Sequence, residues 1–321
     1  MKDLDFQLLK DLYCIFSPSD GEVEMRRFIK RYVTRNIPSA RVEQDEIGNL
    51  LVTKGKADCY PCLCAHMDQV QNFHPKDFVC IDSGDIILGY SPSTRRQCGL
   101  GADDKNGIFV ALTCLKESDI LKCAFFVGEE IGCVGSNAVD TAFFNDCKFC
   151  VQIDRRGNKD IVTAISYDIC SQQFIRDTNY ESYGYAISTG LMTDVDELRR
   201  RDVLASCVNL SCGYYEPHTD YEFTVKADVQ KCYDFVCHII EVCTGDYTFV
   251  CERTSDNYRW GSYPYATNWA YDDCMDICCD MLNANQELTQ AEFIESVKVD
   301  FPSLKTFELV EIYQTAKTYI S

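Results

Sequence analysis

Short apolar runs alternate with segments of helical spacing through the middle of the sequence. Residues 122–127, 148–153 and 203–210 have the composition of buried strands, whereas residues 106–116 and 228–242 repeat apolar side chains at helical spacing. Strands and helices that alternate along a chain pack in layers, with helices covering a sheet whose strands are mostly parallel. The pattern therefore predicts an α/β fold with a mixed, largely parallel central sheet flanked by helices.

The two ends of the chain follow other patterns. The first forty residues predict two helices, and residues 41–55 and 78–90 predict hairpins, so that one domain is expected over residues 1–245. Residues 246–321 are aromatic and polar at first and then predict two helices. The first of these helices begins with the capping-box pattern Thr289-Gln290-Ala291-Glu292. No motif there indicates a function, and we expect a small C-terminal helical extension.

Charge and cysteine content exclude several classes of function. The chain has 31 basic and 50 acidic residues and a net charge of −19, so nucleic acid and anionic membrane surfaces are not expected partners. The N-terminal segment is charged and amphipathic, unlike a secretory leader. The 21 cysteines are odd in number and scattered, which argues against a disulfide framework and favours a reduced, cytoplasmic protein.

Three cysteines near the C-terminus come closest to the spacing of a metal cluster. Cys274, Cys278 and Cys279 lack the paired CxxC spacing of zinc modules. Their spacing suits the buried face of a helix instead. The sequence therefore favours helix-core cysteines over a metal site at these positions.

Polar residues follow several of the predicted strands. Open α/β sheets bind ligands at the carboxyl ends of their strands, so polar residues at these ends are candidates for a site. The candidates are His66, Glu129, Glu130, Asp154 and, shortly after a fourth strand, His218. Imidazole with carboxylate is the ligand mix of zinc, manganese or cobalt rather than of calcium.

Two aspartates join this set from a helix start. Asp103 and Asp104 precede residues 106–116, where the helix dipole and unpaired amides favour carboxylates. Asp68 lies two residues after His66 and, on a strand, shares its face, so it can orient the imidazole. Each signal alone is weak, because such residues are commonly helix caps or surface groups. The two remaining histidines are assigned ordinary solvent or packing roles: His74 and His238.

Five motifs occur in the order CAHMD, GLGADDKNG, VGEEIGCVGS, VQID and GYYEPHTDYEF. Their content and order closely resemble the co-catalytic di-zinc exopeptidases, the clan that contains peptidase T and the zinc aminopeptidases. Residues 18–33 and 45–55 resemble that clan's first helix and first hairpin, so the resemblance covers roughly residues 5–245. It implies the clan's three-layer zinc-peptidase-like fold.

The resemblance also assigns metal ligands. It implies that Asp103 bridges two divalent metal ions, with His66 and Asp154 completing one ion and Glu130 and His218 completing the other. Zinc is the expected metal, with manganese and cobalt as alternatives. Clan members commonly have a cis peptide bond after the bridging aspartate.

The resemblance further implies the chemistry. Glu129 corresponds to the general base, which takes a proton from a metal-bridging water and passes it to the departing amine. Asp68 is assigned to the catalytic group through its effect on His66. Without metal, we expect Glu129 or Glu130 to have a raised pKa or the loop that carries them to loosen.

The sequence indicates substrate-contacting residues less strongly than metal ligands. Asp194, Tyr214 and Tyr215 are candidates for shaping the substrate pocket, with loop and helix-cap structure as an equal alternative. Only 63 residues separate Asp154 from His218, which is too few for the lid domain of many peptidase T relatives. The sequence therefore favours recognition of a free N-terminus, as in an aminopeptidase that acts on short peptides.

Other functions stay open at this point. The same clan contains dipeptidases and deacylases that cleave N-acyl amino acids, and a non-catalytic relative could keep the fold. A homo-oligomer is compatible with the resemblance.

Overall fold

The computed structural model of the chain describes residues 3–165, 167–250, 274–275, 277–279, 281–282, 285, 287–298 and 306–320. The chain divides into two compact units, Met1–Arg253 and Thr254–Ser321. The aromatic and polar stretch 256–273 lies outside the described residues. The division of the chain into functional domains at residue 245 stays a prediction.

The first unit contains every helix and strand that the sequence predicts for it, with bounds shifted by a few residues. Its α-helices are α1 Gln7–Tyr13, α2 Val23–Asn36, α3 Ala102–Glu117, α4 Val134–Ala138, α5 Gln172–Thr178, α6 Asp194–Arg200 and α7 Lys226–Val242. Its strands are β1 Ala40–Gln44, β2 Leu50–Lys54, β3 Tyr60–His66, β4 Val79–Asp82, β5 Ile86–Ser91, β6 Arg96–Cys98, β7 Leu121–Phe126, β8 Cys147–Arg155, β9 Asp160–Ala164, β10 Ala186–Thr189, β11 Ser206–Ser211, β12 Tyr214–Tyr215 and β13 Phe223–Val225.

Eight strands form the central sheet, in the order β1-β2-β7-β3-β8-β11-β9-β10. The neighbours β7, β3, β8 and β11 are parallel, as are β9 and β10. The pairs β1–β2, β2–β7 and β9–β11 are antiparallel. The prediction of a mixed, largely parallel central sheet is confirmed.

Helices cover both faces of this sheet. Leu63, Phe125 and Val151 pack on one face in a core shared with α1, α2, α3 and α7. Phe126 packs on the other face in a second core that includes Leu198 of α6. Strands β3 and β7 are buried along their whole length, which explains their almost continuous apolar sequence. The arrangement is the expected three-layer one.

A second, five-stranded sheet holds β12, β13, β5 and β4, with β6 paired to β5. Its pairs are antiparallel, and β4 with β5 is the predicted second hairpin. The sequence pattern did not indicate β9, β10, β12 or β13. These strands are two to five residues long and partly exposed, so they lack a long apolar run.

The described part of the second unit contains the predicted capping box. Helix α8 (Gln290–Val297) follows Thr289, whose Oγ1 accepts the Glu292 N–H at 3.3 Å. Glu292 Oε2 accepts the Thr289 N–H in return at 2.9 Å. Helix α9 (Thr306–Ile320) is the second predicted helix. Within the ranges that the structure describes, none of the helices has an apolar stretch of the length needed to span a bilayer.

Candidate metal centre

The carboxyl edge of the parallel strands carries several of the predicted site residues. His66 is the last residue of β3, and Asp154 is the last but one of β8. Glu129 and Glu130 follow β7 after Gly128, whose φ of +60° lies in the left-handed region that favours glycine. Parallel strands that end at one edge thus bring together residues far apart in sequence.

The remaining predicted ligands come from a helix start and a loop. Asp103 lies at the start of α3, and the bond that joins it to Asp104 is a cis peptide, as the resemblance implies. His218 follows β12 with a φ of +63°. Both segments face the carboxyl edge of the strands, because their side chains contact those of His66 and Glu130.

Two groups of side chains meet at Asp103. In the first, His66 Nε2 lies 3.0 Å from Asp103 Oδ1 and 3.6 Å from Asp154 Oδ1. In the second, His218 Nε2 lies 3.3 Å from Asp103 Oδ2 and 3.2 Å from Glu130 Oε2. Within each group the donor atoms lie within 4.8 Å of one another, close enough to hold one metal ion. The two oxygens of Asp103 therefore face different groups.

The chemistry of these donors fits divalent metal ions. Each group combines an imidazole nitrogen with carboxylate oxygens, which is a donor set of zinc and related transition metals. Glu130 Oε1 is buried and has no hydrogen-bond partner among the residues that the structure describes. A buried carboxylate oxygen is costly unless a hydrogen bond or a cation satisfies it. A cation held by the second group would satisfy it.

Burial perturbs the acids of the site. It raises the pKa of Glu130 to about 7 and, together with the charge of Asp103, raises the pKa of Asp154 to about 6. Burial also raises the pKa of Glu129 well above its usual value, which agrees with the expectation for the metal-free chain. Burial acts on Asp103 too, but hydrogen bonds from the two histidines outweigh it and hold the pKa of Asp103 far below its usual range.

Asp68 connects the first group to the glutamate turn. His66 Nδ1 contacts the backbone carbonyl of Asp68 at 3.1 Å, and the Asp68 carboxylate Oδ1 lies 3.3 Å from the same nitrogen. The same carboxylate accepts the backbone N–H of Glu129 at 3.0 Å, the N–H of Glu130 at 3.2 Å and the Ser19 hydroxyl at 2.8 Å. One buried aspartate thus positions both a predicted ligand and the predicted base.

The three candidate substrate residues make contacts inside the protein. Tyr214 donates its hydroxyl to Asp154 Oδ1 at 3.3 Å, so it touches the first group. Tyr215 donates to Asp228 Oδ2 at 2.6 Å. Asp194 is fully buried, and both of its oxygens accept hydrogen bonds, from the Ser136 hydroxyl at 2.6 Å and from the Gln152 amide at 3.3 Å. A substrate role for these residues stays a prediction.

Glu222 is a site residue that the sequence analysis missed. It is fully buried, its Oε2 accepts the N–H of Gly101 at 2.7 Å, and its Oε1 accepts the N–H of Asp103 at 3.1 Å. Burial raises its pKa to about 7. Glu222 therefore fixes the backbone of the residue that faces both groups. Its place in the motif GYYEPHTDYEF could have indicated this role, since a glutamate directly before a short apolar strand needs a hydrogen-bond partner.

Two amides hold Asp154 in the same way. Gln152 donates to Asp154 Oδ2 at 3.0 Å, and Asn209 accepts the N–H of Asp154 at 2.9 Å while donating to its carbonyl at 2.7 Å. Gln152 lies two residues before Asp154 on β8. The signal for this role was a polar residue that shares the face of a candidate ligand within an apolar strand.

The two histidines outside the ligand set make aromatic contacts. His74 lies between Phe16 and Phe78, at ring-centroid distances of 5.4 and 4.0 Å, and burial lowers its pKa to about 4. His238 lies 4.9 Å from the ring of Tyr183. Both contacts agree with the predicted packing roles.

Sequence comparison relates part of the chain to a named hydrolase. The chain matches no protein-family model. It is 28% identical over 136 residues to a protein of Pyrobaculum aerophilum named as a LysW-lysine/LysW-ornithine hydrolase, a match that spans 41% of this chain and 36% of that relative. The match thus covers little more than a third of the relative's length.

Solved structures resemble most of the chain. Aminopeptidase PepT of Bacillus cereus is 17% identical, with a TM-score of 0.57 over 72% of this chain and 96% of that chain. A tripeptidase of Staphylococcus aureus is 16% identical, with a TM-score of 0.59 over 74% of this chain and 97% of that chain. The chain has the fold of the di-zinc exopeptidase clan.

A third structure with the exopeptidase fold is the TET1 peptidase of Pyrococcus horikoshii. It is 18% identical, with a TM-score of 0.54 over 73% of this chain and 98% of that chain. That peptidase is described as assembling into a tetrahedron or a large octahedral shell. At these identities the likeness concerns the fold, and the chemistry of this chain rests on its own residues.

Proposed function

We propose that the protein is a metal-dependent aminopeptidase that removes N-terminal residues from short peptides. The observation that carries the proposal is the pair of donor groups that share Asp103, with His66 and Asp154 on one side and Glu130 and His218 on the other. Sequence order alone could not have placed these side chains within coordination distance.

The five donors would hold two divalent cations, zinc first, with manganese or cobalt as alternatives. Cations bound there supply a water of lowered pKa and an electrophile for the scissile carbonyl. Asp68 keeps His66 in position and fixes the backbone of the glutamate turn through two N–H contacts. The ligand side chains are thus held in place before substrate binds.

Glu129 is the residue proposed to carry the proton. It belongs to neither donor group, yet it follows β7 beside them, and burial raises its pKa well above the usual value. A carboxylate with a raised pKa accepts a proton readily and can return it to the departing amine. Gln152, Asn209 and Glu222 hold the ligand backbones and do not touch the reacting atoms in this scheme.

The experiment that tests the proposal is Glu129→Gln in metal-loaded protein. We expect the bound metal to be unchanged and kcat on aminoacyl-p-nitroanilides to fall about 10²–10⁴-fold, because the amide cannot accept the proton. Glu46→Gln, at an exposed position near the first hairpin turn, is the matched control. Full activity in Glu129→Gln would remove the proposed base, and loss of metal would make Glu129 a ligand.

A deacylase or dipeptidase of the same fold is the second candidate. The observation in its favour is the relative from Pyrobaculum aerophilum, which is named as a hydrolase of LysW-lysine and LysW-ornithine. Assays with N-acetyl amino acids and dipeptides beside aminoacyl-p-nitroanilides separate the two candidates. Hydrolysis of the N-acetyl amino acids alone would reject the aminopeptidase.

Three further properties belong to the same proposal. The protein is expected in the cytoplasm, with a short peptide as its substrate. Self-association is the third property, for which the shells described for the Pyrococcus horikoshii peptidase are a precedent. A non-catalytic protein of this fold is the remaining alternative. Its donor groups would bind metal weakly, so it predicts less than about one bound metal ion per chain after zinc loading.

A further inference from the structure

Five cysteines lie together on one face of the central sheet. Cys62 and Cys64 belong to β3, Cys147 and Cys150 to β8, and Cys207 to β11. The strand register pairs Cys62 with Cys150 and Cys150 with Cys207, so three thiols form a row across three neighbouring strands. Four of the five are buried, and Cys147 at the start of β8 is half-buried.

These are not the cysteines that the sequence singled out. Cys274, Cys278 and Cys279 lie at helical positions, and the first two are buried, as predicted. The CxxC spacing that zinc modules use occurs instead at Cys59 and Cys62 and at Cys147 and Cys150. In a regular strand, residues three apart point to opposite faces, so the spacing alone would keep the thiols of Cys147 and Cys150 apart.

An irregularity in β8 removes this obstacle. Tyr60 pairs with Cys147, but the next residue, Pro61, pairs with Phe149, so β8 contains one additional residue at Lys148. A bulge of this kind shifts the alternation by one position. Cys147 and Cys150 consequently reach the same face, and both pack in the core that holds Cys62.

Three of the thiols meet in one group. The sulfurs of Cys62, Cys147 and Cys150 all lie within 4.8 Å of one another. From this geometry we propose that the three cysteines form a thiolate site for a soft d10 metal ion, separate from the carboxylate and histidine centre. Cys62 lies four residues before His66 on β3, which places the two sites about 13 Å apart at the usual strand rise of ~3.3 Å per residue.

The surroundings of the group suit an anionic thiolate cluster. Lys122 pairs with Cys62 in the strand register and is nearly fully buried. Its Nζ donates to the Phe143 carbonyl at 2.6 Å, the same oxygen to which Cys147 Sγ lies at 3.9 Å. The ammonium, which also pairs with Asp146, therefore lies next to the thiols and offsets part of the negative charge that metal binding leaves.

The number and type of donors indicate the ion. Thiolates without oxygen or nitrogen ligands select soft ions such as Cu(I) and zinc. Structural zinc sites are almost always four-coordinate, whereas this group supplies three sulfurs, so Cu(I) suits it better. Each thiol that binds releases its proton to solvent, and no change of oxidation state is involved. The half-buried Cys147 provides an entry route.

The test starts from full-length protein whose carboxylate and histidine centre is filled with zinc. Cu(I), supplied anaerobically as its acetonitrile complex, is added, and excess copper is removed with a Cu(I) chelator. We expect about one retained copper per chain, with an X-ray absorption spectrum that shows only sulfur ligands. In a parallel experiment, zinc is added in place of Cu(I), and the number of bound zinc ions per chain is measured to see whether it exceeds two.

Variants assign the bound ion to the cluster. Cys150→Ala and Cys147→Ala should lose the additional ion, whereas Cys123→Ala, a buried cysteine on β7 in the other core, should keep it. Circular dichroism of the metal-free variants checks folding, and Cys147→Ala is the milder change because that residue is half-buried. A copper spectrum with nitrogen or oxygen ligands, retention of the ion by both variants, absence of an additional ion in both arms, or a Cys147–Cys150 disulfide would overturn the proposal.

Discussion

At the scale of single residues, Asp103 has the most demanding position. It is buried, it contacts His66 and His218 through different oxygens, and Glu222 holds its backbone N–H. Its pKa lies far below the usual range although burial acts in the opposite direction, because two imidazoles favour its charged form. Losing this carboxylate should therefore affect both donor groups, whereas losing an outer ligand should affect one.

Metal content measures this difference. Asp103→Asn is expected to abolish tight binding of both ions, while Asp154→Asn or Glu130→Gln should leave about one ion per chain, because each belongs to a single group. Metal analysis after desalting, with Glu46→Gln as the exposed control, gives the stoichiometry. Retention of two ions by Asp103→Asn would contradict a shared ligand.

The buried Glu222 gives a second residue-scale prediction. Glu222→Gln keeps the shape but puts an amide N–H₂ group against one of two backbone N–H donors, so one donor loses its acceptor. We expect a loss of about 1–3 kcal/mol in the free energy of unfolding and weaker metal binding. Urea unfolding of the metal-free and zinc-loaded protein measures both effects. Stability equal to that of Glu46→Gln would show that the Glu222 contacts contribute little.

At the scale of elements, the glutamate turn depends on its neighbours. Asn49, at the end of the first hairpin turn, accepts the Val127 N–H at 3.1 Å and donates to the Gly135 carbonyl at 2.9 Å. These residues flank the segment that carries Glu129. A Cβ on Gly135 would lie 2.4 Å from Asn49 Oδ1, so this contact requires glycine. The hairpin thus fixes both ends of the turn.

Asn49→Ala tests this support. It leaves the buried Val127 N–H without an acceptor, whereas the Gly135 carbonyl keeps the Val139 N–H at 3.0 Å, and we expect a loss of about 1–3 kcal/mol in stability. Because the turn carries the proposed base Glu129, kcat should fall while the metal sites persist. Asn36→Ala is the matched control, since the Asn36 amide donates to the Tyr32 carbonyl at an exposed helix end. Equal unfolding midpoints for the two variants would argue against a supporting role for Asn49.

At the scale of the whole molecule, stability should depend on both metal and pH. In the metal-free fold, burial holds the pKa of Asp154 at about 6 and that of Glu130 at about 7, above the values of ~4 expected in the unfolded chain. From about pH 4 up to these raised pKa values, the folded state binds more protons than the unfolded state, so the free energy of unfolding falls as pH rises. Burial also raises the pKa of Asp194 to about 8, which extends this fall above pH 7, whereas burial lowers the pKa of Lys105 to about 7 and opposes the fall there.

Thermal unfolding at pH 5 and pH 7 checks this expectation. With chelator, the midpoint should be lower at pH 7. With zinc in excess, the ligands are ionised in the complex, and the unfolding midpoint at pH 7 should rise with the zinc concentration. At a free zinc concentration of one hundred times Kd, the folded state gains about 2.7 kcal/mol of stability. Identical pH dependence with and without zinc would mean that these carboxylates do not bind the metal.

The layered α/β fold and the candidate ligands could be predicted from sequence patterns. Buried strands such as β3 and β7 appear as apolar runs because both of their faces are covered, and residues at their ends are predictable from that rule alone. The capping box at Thr289 was equally predictable, since its partners lie three residues apart.

Tertiary structure decided the contacts between distant segments. Glu222 lies 119 residues from Asp103, and the hairpin of β4 and β5 joins a sheet completed by β13. The meeting of Cys147 with Cys62 depends on an additional residue in one strand, which no periodic pattern records. Periodicity reports which face of an element is buried, whereas the identity of the partner on that face is set only when the elements pack.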